Sequence, residues 1–438
     1  MRGCTGAWWT AGLWAGSFIL GVAQVAPAAP APAQRAALNN GLVLLYQGNP
    51  SSLTLAVSCF VRVSAMMETR DSAGWRNLAQ QVLLDLPDAQ GRPLQERVAE
   101  QAAQMRVQTS ADYVETLFLG TADQLNLLLG YVAEVLTPTR VSRAEVETRR
   151  QQVLRELANR QQLPVAIAQD MAQAALFAGT PCAWPVAGNF EISTLSASRV
   201  GTLRALHDAP NRAVVAVSGP VSWEECRSRA QGQLGALLPR PVLSEPALKV
   251  SRAAPARCLY RPWEGETATV LTAAAIPGPA SPDFAAAAVL SAVLGSGEGS
   301  RLFEVLRDAR GLAYTIDADL TPSRLCGMIQ IVASCEPKQA AEVFRIMRAE
   351  VAGLESRPPS EAEVQRAAAY LTASFSLGHL RNAEIAHYLG MFEALMPGQG
   401  EHEDLAAVLE QVTPAQVEAA TKWLHDRTVW VQVGGQVP

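Results

Sequence analysis

The chain repeats its own order of elements. SRAEVETRRQQVL in the first half is answered by SEAEVQRAAAYL in the second, and each follows the same run of strand-like and helix-like segments. In the first half, GLVLLYQG and SLTLAVSCFVRV are short, β-branched and bounded by Gly, Pro and Ser, which predicts strands. A helix is expected from near Ser72 through NLAQQVLLDL, then a second helix, PLQERVAEQAAQM, and a strand, YVETLFLG. ADQLNLLLGYVAEVL and RAEVETRRQQVLRELANRQQ carry apolar residues three and four apart, the helical spacing. The second half follows suit. TATVLTAAAIPG reads as a strand, SPDFAAAAVLSAVLG as a helix capped by Ser281, and GSRLFEVLRDARG as a helix ended by Gly311. LCGMIQIVASC is a strand, followed by the helices PKQAAEVFRIMRAEVAGL and SEAEVQRAAAYLTASF. A repeat of roughly 200 residues marks duplication, since solenoid periods are about 20 to 50.

These patterns predict an α+β chain of two homologous domains, each a mainly antiparallel sheet with helices packed on one face. Residues 34–238 form the first domain and 258–438 the second. Residues 239–257 are the expected linker, within LLPRPVLSEPALKVSRAAPAR, which has four prolines and little periodicity. Residues 1–33 differ from the rest. Arg2 precedes an apolar run from Ala7 to Val25, and small residues cluster near Ala28 to Ala33. That is the pattern of a secretory signal peptide, with a retained membrane anchor as the alternative. The chain is then exported, to the periplasm or outside the cell, and meets a membrane only if this segment is kept.

Charge and cysteine content narrow the function. The net charge of −5 offers nothing to a polyanion, so a nucleic-acid partner is not expected. Seven cysteines are present and none forms a C-x-x-C pair, so a cysteine zinc site is not expected either. Cys326 and Cys335 bracket a single predicted strand. Nine extended steps separate them by roughly 30 Å, beyond disulfide reach. The remaining pairings stay open.

Several segments, in order, resemble the pitrilysin/insulinase family of zinc metallopeptidases, in its processing-peptidase-like branch. They are LNNGLVLLYQG, VLRELANRQQLP, APNRAVVAVSGPV and GSRLFEVLRDARGLAYTI. The resemblance implies two halves facing each other as one side of a clam-shell. It also implies an inverted zinc motif, H-x-x-E-H, on a helix of the first domain. There, two histidines four apart converge on the metal, and the Glu polarises its water. Here the matching positions are Asn77, Gln80 and Gln81, with Glu156 at the place of a third ligand. Amides offer zinc only a neutral carbonyl oxygen, and Gln80 has no base to accept a proton. The bland reading makes the three amides cleft-filling polar residues and Glu156 a surface carboxylate paired with Arg160.

The family's second-domain contribution is matched more fully. By resemblance, Arg307 grips a substrate carbonyl and Tyr314 supports the tetrahedral intermediate, both being suitable donors to a developing oxyanion. The competing reading pairs Arg307 with Asp308, Glu304 or Asp317 and makes Tyr314 an ordinary strand residue. Gly295, Gly297 and Gly299 match a glycine-rich, substrate-engaging loop of the non-zinc subunit, or else form a joint between helices. No Lys follows them, which argues against a phosphate loop. The resemblance implies a zinc-free subunit, inactive alone, of an exported heterodimeric metallopeptidase. It binds unstructured peptide and supplies Arg307 and Tyr314 to a zinc-bearing homologous partner; the cofactor resides in that partner and none in this chain. The alternative is an inactive structural or peptide-binding homologue.

Overall fold

The computed structural model describes residues 32–138, 142–242, 257–398, 405–426 and 428–437. Most of the expected leader and of the expected linker lie outside the described residues. The first half contributes strands β1 (Gln34–Ala37), β2 (Val43–Gly48), β3 (Thr54–Arg62), β4 (Gln104–Thr109), β5 (Tyr113–Thr121) and β6 (Ala213–Gly219). Its helices are α1 (Trp75–Leu83), α2 (Leu94–Glu100), α3 (Leu125–Leu136), α4 (Arg143–Arg160), α5 (Pro164–Leu176), α6 (Ala197–His207) and α7 (Trp223–Leu234). The second half contributes β7 (Arg257–Arg261), β8 (Ala268–Ala275), β9 (Ala313–Thr321), β10 (Met328–Cys335) and β11 (Thr428–Val433). Its helices are α8 (Phe284–Gly295), α9 (Ala340–Ala352), α10 (Glu361–Gly378), α11 (Asn382–Leu395), α12 (Leu405–Glu410), α13 (Pro414–Ala420) and α14 (Lys422–Asp426).

The strand orders show the duplication directly. The first sheet runs β1-β2-β6-β3-β5-β4 and the second β7-β11-β8-β10-β9. Without β1 the two orders superimpose, and each has its single parallel pair at the same place, β2 with β6 and β7 with β11. The echoed helices α4 and α10 start alike. Ser142 and Glu145 cap α4 reciprocally, at 3.1 and 2.7 Å, and Ser360 and Glu363 do the same for α10, at 3.4 and 2.8 Å. Each box satisfies two backbone donors that a helix start leaves unpaired.

Three details depart from the sequence expectation. The helix expected over PLQERVAEQAAQM ends at Glu100. Ala102 turns the chain with φ of 54°, and Gln104 onward forms the edge strand β4. QMRVQT alternates half-buried and exposed residues, a period of two that a helix cannot satisfy. Ser281 is not the cap of α8. The helix begins after Asp283, and the Ser281 hydroxyl instead accepts the Asp283 amide in the turn before it. GSRLFEVLRDARG winds wider than an α-helix, because Phe303–Asp308 is a π-helix; it ends, as expected, through Gly311 at φ of 60°. π-turns of this kind recur at functional positions.

Each sheet buries both faces, and the second face is covered by the other half of the chain. On the first sheet, Leu55, Val57, Cys59 and Val61 of β3 face the helices of their own half. Ala56 and Phe60 point the opposite way, against Ile385, Leu389 and Phe392 of α11. On the second sheet, Val270 of β8 and Ile329 and Ile331 of β10 face α8 and α9. Leu271, Ala273, Val429 and Val431 face Ile167, Ala168 and Ala172 of α5. Each half therefore lends one helix to the other's sheet, and the two are interlocked. Cys326 and Cys335 end up in different cores, and both are free thiols.

Close approach of α11 depends on Gly390. A Cβ there would lie 2.0 Å from a ring carbon of Phe60. Gly390→Ala should cost about 1–3 kcal/mol through overpacking, read as a lower midpoint with unchanged slope in urea unfolding. A neutral substitution would show that α11 sits further from β3.

Candidate functional site

The site begins with a buried ion pair that fixes the start of α1. Glu68 accepts the Gly74 amide at 3.1 Å and Arg76 Nε at 3.0 Å. Arg76 also donates to the Val63 carbonyl at 3.2 Å and the Ser110 carbonyl at 2.5 Å. Its side chain is 1% exposed and that of Glu68 is 3% exposed, so both charges are removed from water and compensated by each other and by backbone dipoles. Gly74 meets Gly188 backbone to backbone, and a Cβ on Gly74 would fall 2.5 Å from the Gly188 Cα. α1 is thus held rigidly on both sides before its polar face is reached.

That face carries Asn77, Gln80 and Gln81. Asn77 is half-buried and donates to the Ala187 carbonyl at 3.4 Å. Gln80 is buried, and its carbonyl accepts the Thr116 hydroxyl of β5 at 3.3 Å. Gln81 is half-buried. α1 packs on α4, which carries Glu156. Glu156 is exposed and accepts Gln152 Nε2 at 3.1 Å, while Arg160 pairs with Asp170 at 2.7 Å. The expected Glu156–Arg160 pair is therefore replaced by two separate interactions. Three neutral amides with one carboxylate do not match what zinc requires, imidazole, thiolate or carboxylate donors in sufficient number. Among the described residues, no group of three or more His, Cys, Asp or Glu side chains is placed to hold a metal ion.

Behind Gln80 lies a group that the sequence reading did not single out. Thr116 faces α1, and its neighbour Glu115 faces α11 on the other side of the sheet. Glu115, 4% exposed, accepts Ser58 Oγ at 2.6 Å and is 2.7 Å from His387 Nδ1. A lone carboxylate in the apolar strand YVETLFLG requires a buried partner, and that requirement is the signal that could have located His387. Burial pulls the His387 imidazole down, but the hydrogen bond and charge of Glu115, with the charge of Glu384, outweigh it and leave it above the ordinary histidine value. A cleft of about 280 Å³ opens here, walled by Arg106, Glu115, Glu384 and His387. Because the folded-state value is raised, the protonated imidazole adds stability in full below about pH 6.5 and loses it as pH rises through the raised value. A hydrogen bond between charged groups contributes about 1.5–3 kcal/mol. His387→Gln should therefore lower Tm at mildly acidic pH, and the gap should close in alkali. A pH-independent gap would mean that the imidazole is neutral throughout.

The other candidate residues lie in the second half. Arg307 ends the π-turn and is exposed, stacked over the Phe303 ring at 5.0 Å. Among the described residues no carboxylate pairs with it, so the expected alternatives Asp308, Glu304 and Asp317 are not its partners. Tyr314, on the edge strand β9, is 53% exposed. Partial desolvation, and then the charge and hydrogen bond of Glu336, push its phenol above the ordinary tyrosine range.

The glycines before the π-turn are closely packed. A Cβ on Gly295 would press on Ala318, one on Gly297 on the Tyr370 ring, and one on Gly299 on Arg366, at 2.9 to 3.0 Å. Arg301 then fixes the loop to α10, binding Glu363 at 2.6 and 3.0 Å and holding that carboxyl down to about 2. α1 packs on α4 and β4, whereas the π-turn packs on β9. The two sets of candidate residues therefore belong to different halves of the chain.

A sequence profile described as "Peptidase M16 inactive domain" matches residues 201–371. An uncharacterized zinc protease of Mycobacterium leprae is 26% identical over 92% of this chain and 91% of its own length. One from Streptomyces coelicolor is 28% identical over 68% of this chain and 66% of its own. Part of the chain thus matches a profile of M16, or pitrilysin-like, peptidases, and most of its length is similar to zinc proteases. Solved M16 and protease structures share the fold. A protease from Helicobacter pylori superimposes with a TM-score of 0.85 at 17% identity, covering 92% of this chain and all of that one. An M16 inactive domain from Pseudomonas fluorescens gives 0.82 at 19% identity, covering 93% of this chain and 98% of that one. α1, where the sequence resemblance places the zinc motif, carries Asn77, Gln80 and Gln81.

Proposed function

We propose that this chain, in keeping with its similarity to M16 peptidases, is the zinc-free subunit of an exported two-chain metallopeptidase. It binds an unstructured peptide and lends Arg307 and Tyr314 to the active centre of a zinc-bearing homologous partner. The observation that carries the reading is the contrast between the two halves. The α1 positions that the resemblance assigns to metal hold amides, yet Arg307 is exposed on the π-turn and, among the described residues, has no carboxylate partner, seven residues before an exposed Tyr314. A guanidinium left unpaired is available to a substrate carbonyl, and a phenol to a developing oxyanion. The sheets end in β4 and β9, each hydrogen-bonded to one neighbour, so an extended peptide can add as a further strand. The loop of Gly295, Gly297 and Gly299, packed beside the π-turn, would border that peptide.

The test is to assemble the chain with a homologue carrying an intact H-x-x-E-H and to follow cleavage of an unstructured peptide. Arg307→Ala or Tyr314→Phe should lower kcat/KM by about 10²–10³-fold. Unchanged turnover in both variants would remove the catalytic role. A second reading, peptide binding without catalysis, is favoured by the engagement of the Tyr314 phenol with Glu336. It predicts peptide affinity in the isolated chain and no rate gain on assembly.

A further inference from the structure

The cleft beside His387 opens along a free strand edge. β4 is hydrogen-bonded to β5 alone, and its register sets Arg106 opposite Leu117 and Gln108 opposite Glu115. Met105 and Val107 pack against the core of the first half, so Arg106 and Gln108 share the other face of the sheet with Glu115. Glu384 and His387 of α11 close the cleft from above. Arg106 is exposed, and among the described residues no carboxylate pairs with it. The His387 side chain is 26% exposed. Its Nδ1 is taken by Glu115 at 2.7 Å, and among the described residues its Nε2 has no hydrogen-bond partner. With Nδ1–H donated to a carboxylate, Nε2 carries a proton only in the imidazolium, so only the charged ring can donate to a ligand.

We propose that this cleft is the subsite for an acidic side chain of the bound peptide. The proposal rests on the reading that the chain binds an unstructured peptide, and it names the substrate class: an extended peptide with Asp or Glu at one position. A peptide added antiparallel to β4 puts the residue opposite Arg106 on the cleft face, with the two Cβ atoms about 4.5–5.5 Å apart. A carboxylate there can pair with the guanidinium across the strands and accept a hydrogen bond from His387 Nε2. The charges already present favour an anion. Glu115 is engaged by Ser58 and His387, and Glu384 is paired with Arg381 at 2.6 Å. With His387 protonated, the cations Arg106, His387 and Arg381 outnumber the carboxylates Glu115 and Glu384; with the ring neutral, the two signs balance. His387 also borders a second cavity, of about 520 Å³, whose ionisable groups are Asp317 and Asp319 of β9, Tyr370 and Tyr388. None of these walls the cleft at β4.

The experiment is calorimetric titration of the isolated chain with capped, unstructured peptides that are uncharged except at one central residue, Glu, Gln or Lys. At about pH 6 the Glu peptide should bind about tenfold more tightly than the Gln peptide, and the Lys peptide more weakly than either. Arg106→Gln should remove most of that preference and leave affinity for the Gln peptide unchanged. The His387 value is raised, so the preference is full in mild acid and shrinks as pH rises through that value; at about pH 9 only the share due to Arg106 should remain. His387→Gln should show this smaller preference already at about pH 6. Equal affinity for the Glu and Gln peptides at about pH 6, or a preference that Arg106→Gln leaves intact, overturns the acidic subsite while peptide binding stands. Failure of all three peptides to bind overturns both. Arg106 is exposed, so its variant decides the matter even if His387→Gln fails to fold.

Discussion

Glu68→Ala should destabilise the chain by about 3–5 kcal/mol. Among the described residues, the substitution removes the only carboxylate bonded to Arg76, whose guanidinium is 1% exposed, and frees the Gly74 amide at the start of α1. A buried charge without its counter-ion carries most of the desolvation penalty, while the Val63 and Ser110 carbonyls offset only part of it. Urea unfolding of wild type and variant reads the difference directly. The double variant Glu68→Leu, Arg76→Met is the control. Removing both charges together should recover much of the loss, because no ion then remains stranded. If Glu68→Ala alone costs less than about 1 kcal/mol, the pair is solvated and α1 is not anchored through it.

Grafting imidazole donors onto α1 should create a metal site. Asn77→His with Gln81→His places two imidazoles one helical turn apart on the same face of α1, which packs on α4, the helix that carries Glu156. Adding Gln80→Glu supplies the carboxylate that the family motif carries between them. Zinc titration by calorimetry should give one site with a Kd of about 1 μM or tighter, near −8 kcal/mol, and no measurable binding in the wild-type chain. Zinc at a hundredfold excess over Kd should then raise stability by about 2.7 kcal/mol. A folded variant that ignores zinc would show that Glu156 does not converge with positions 77 and 81. Among the described residues it is exposed and engaged only by Gln152, which leaves it free to turn toward a metal.

Much of this was legible along the chain. The echo of SRAEVE and SEAEVQ is visible because each opens with a serine and a carboxylate at capping-box spacing, a local device. The strand YVETLFLG, the helix of α1, the amides at 77, 80 and 81, and the Arg307–Tyr314 spacing are local as well. β4 was hidden because its period-two alternation starts immediately after a true helix, with only Ala102 at positive φ to divide them. The partner of Glu156 was misread because Gln152 and Arg160 stand at equal helical distance from it, and Asp170 on the next helix decides which of them is taken.

By itself the sequence determined the duplication, the type of most elements and the amide side chains on α1. Capping, periodicity and donor identity are all set within a few residues of chain. Only the tertiary structure decided what covers the far face of each sheet, why Gly390 must stay small, and how Glu115 finds His387. Those pairings join segments hundreds of residues apart, or from opposite halves. They are fixed by the burial of two apolar sheet faces, a constraint with no local spacing to betray it.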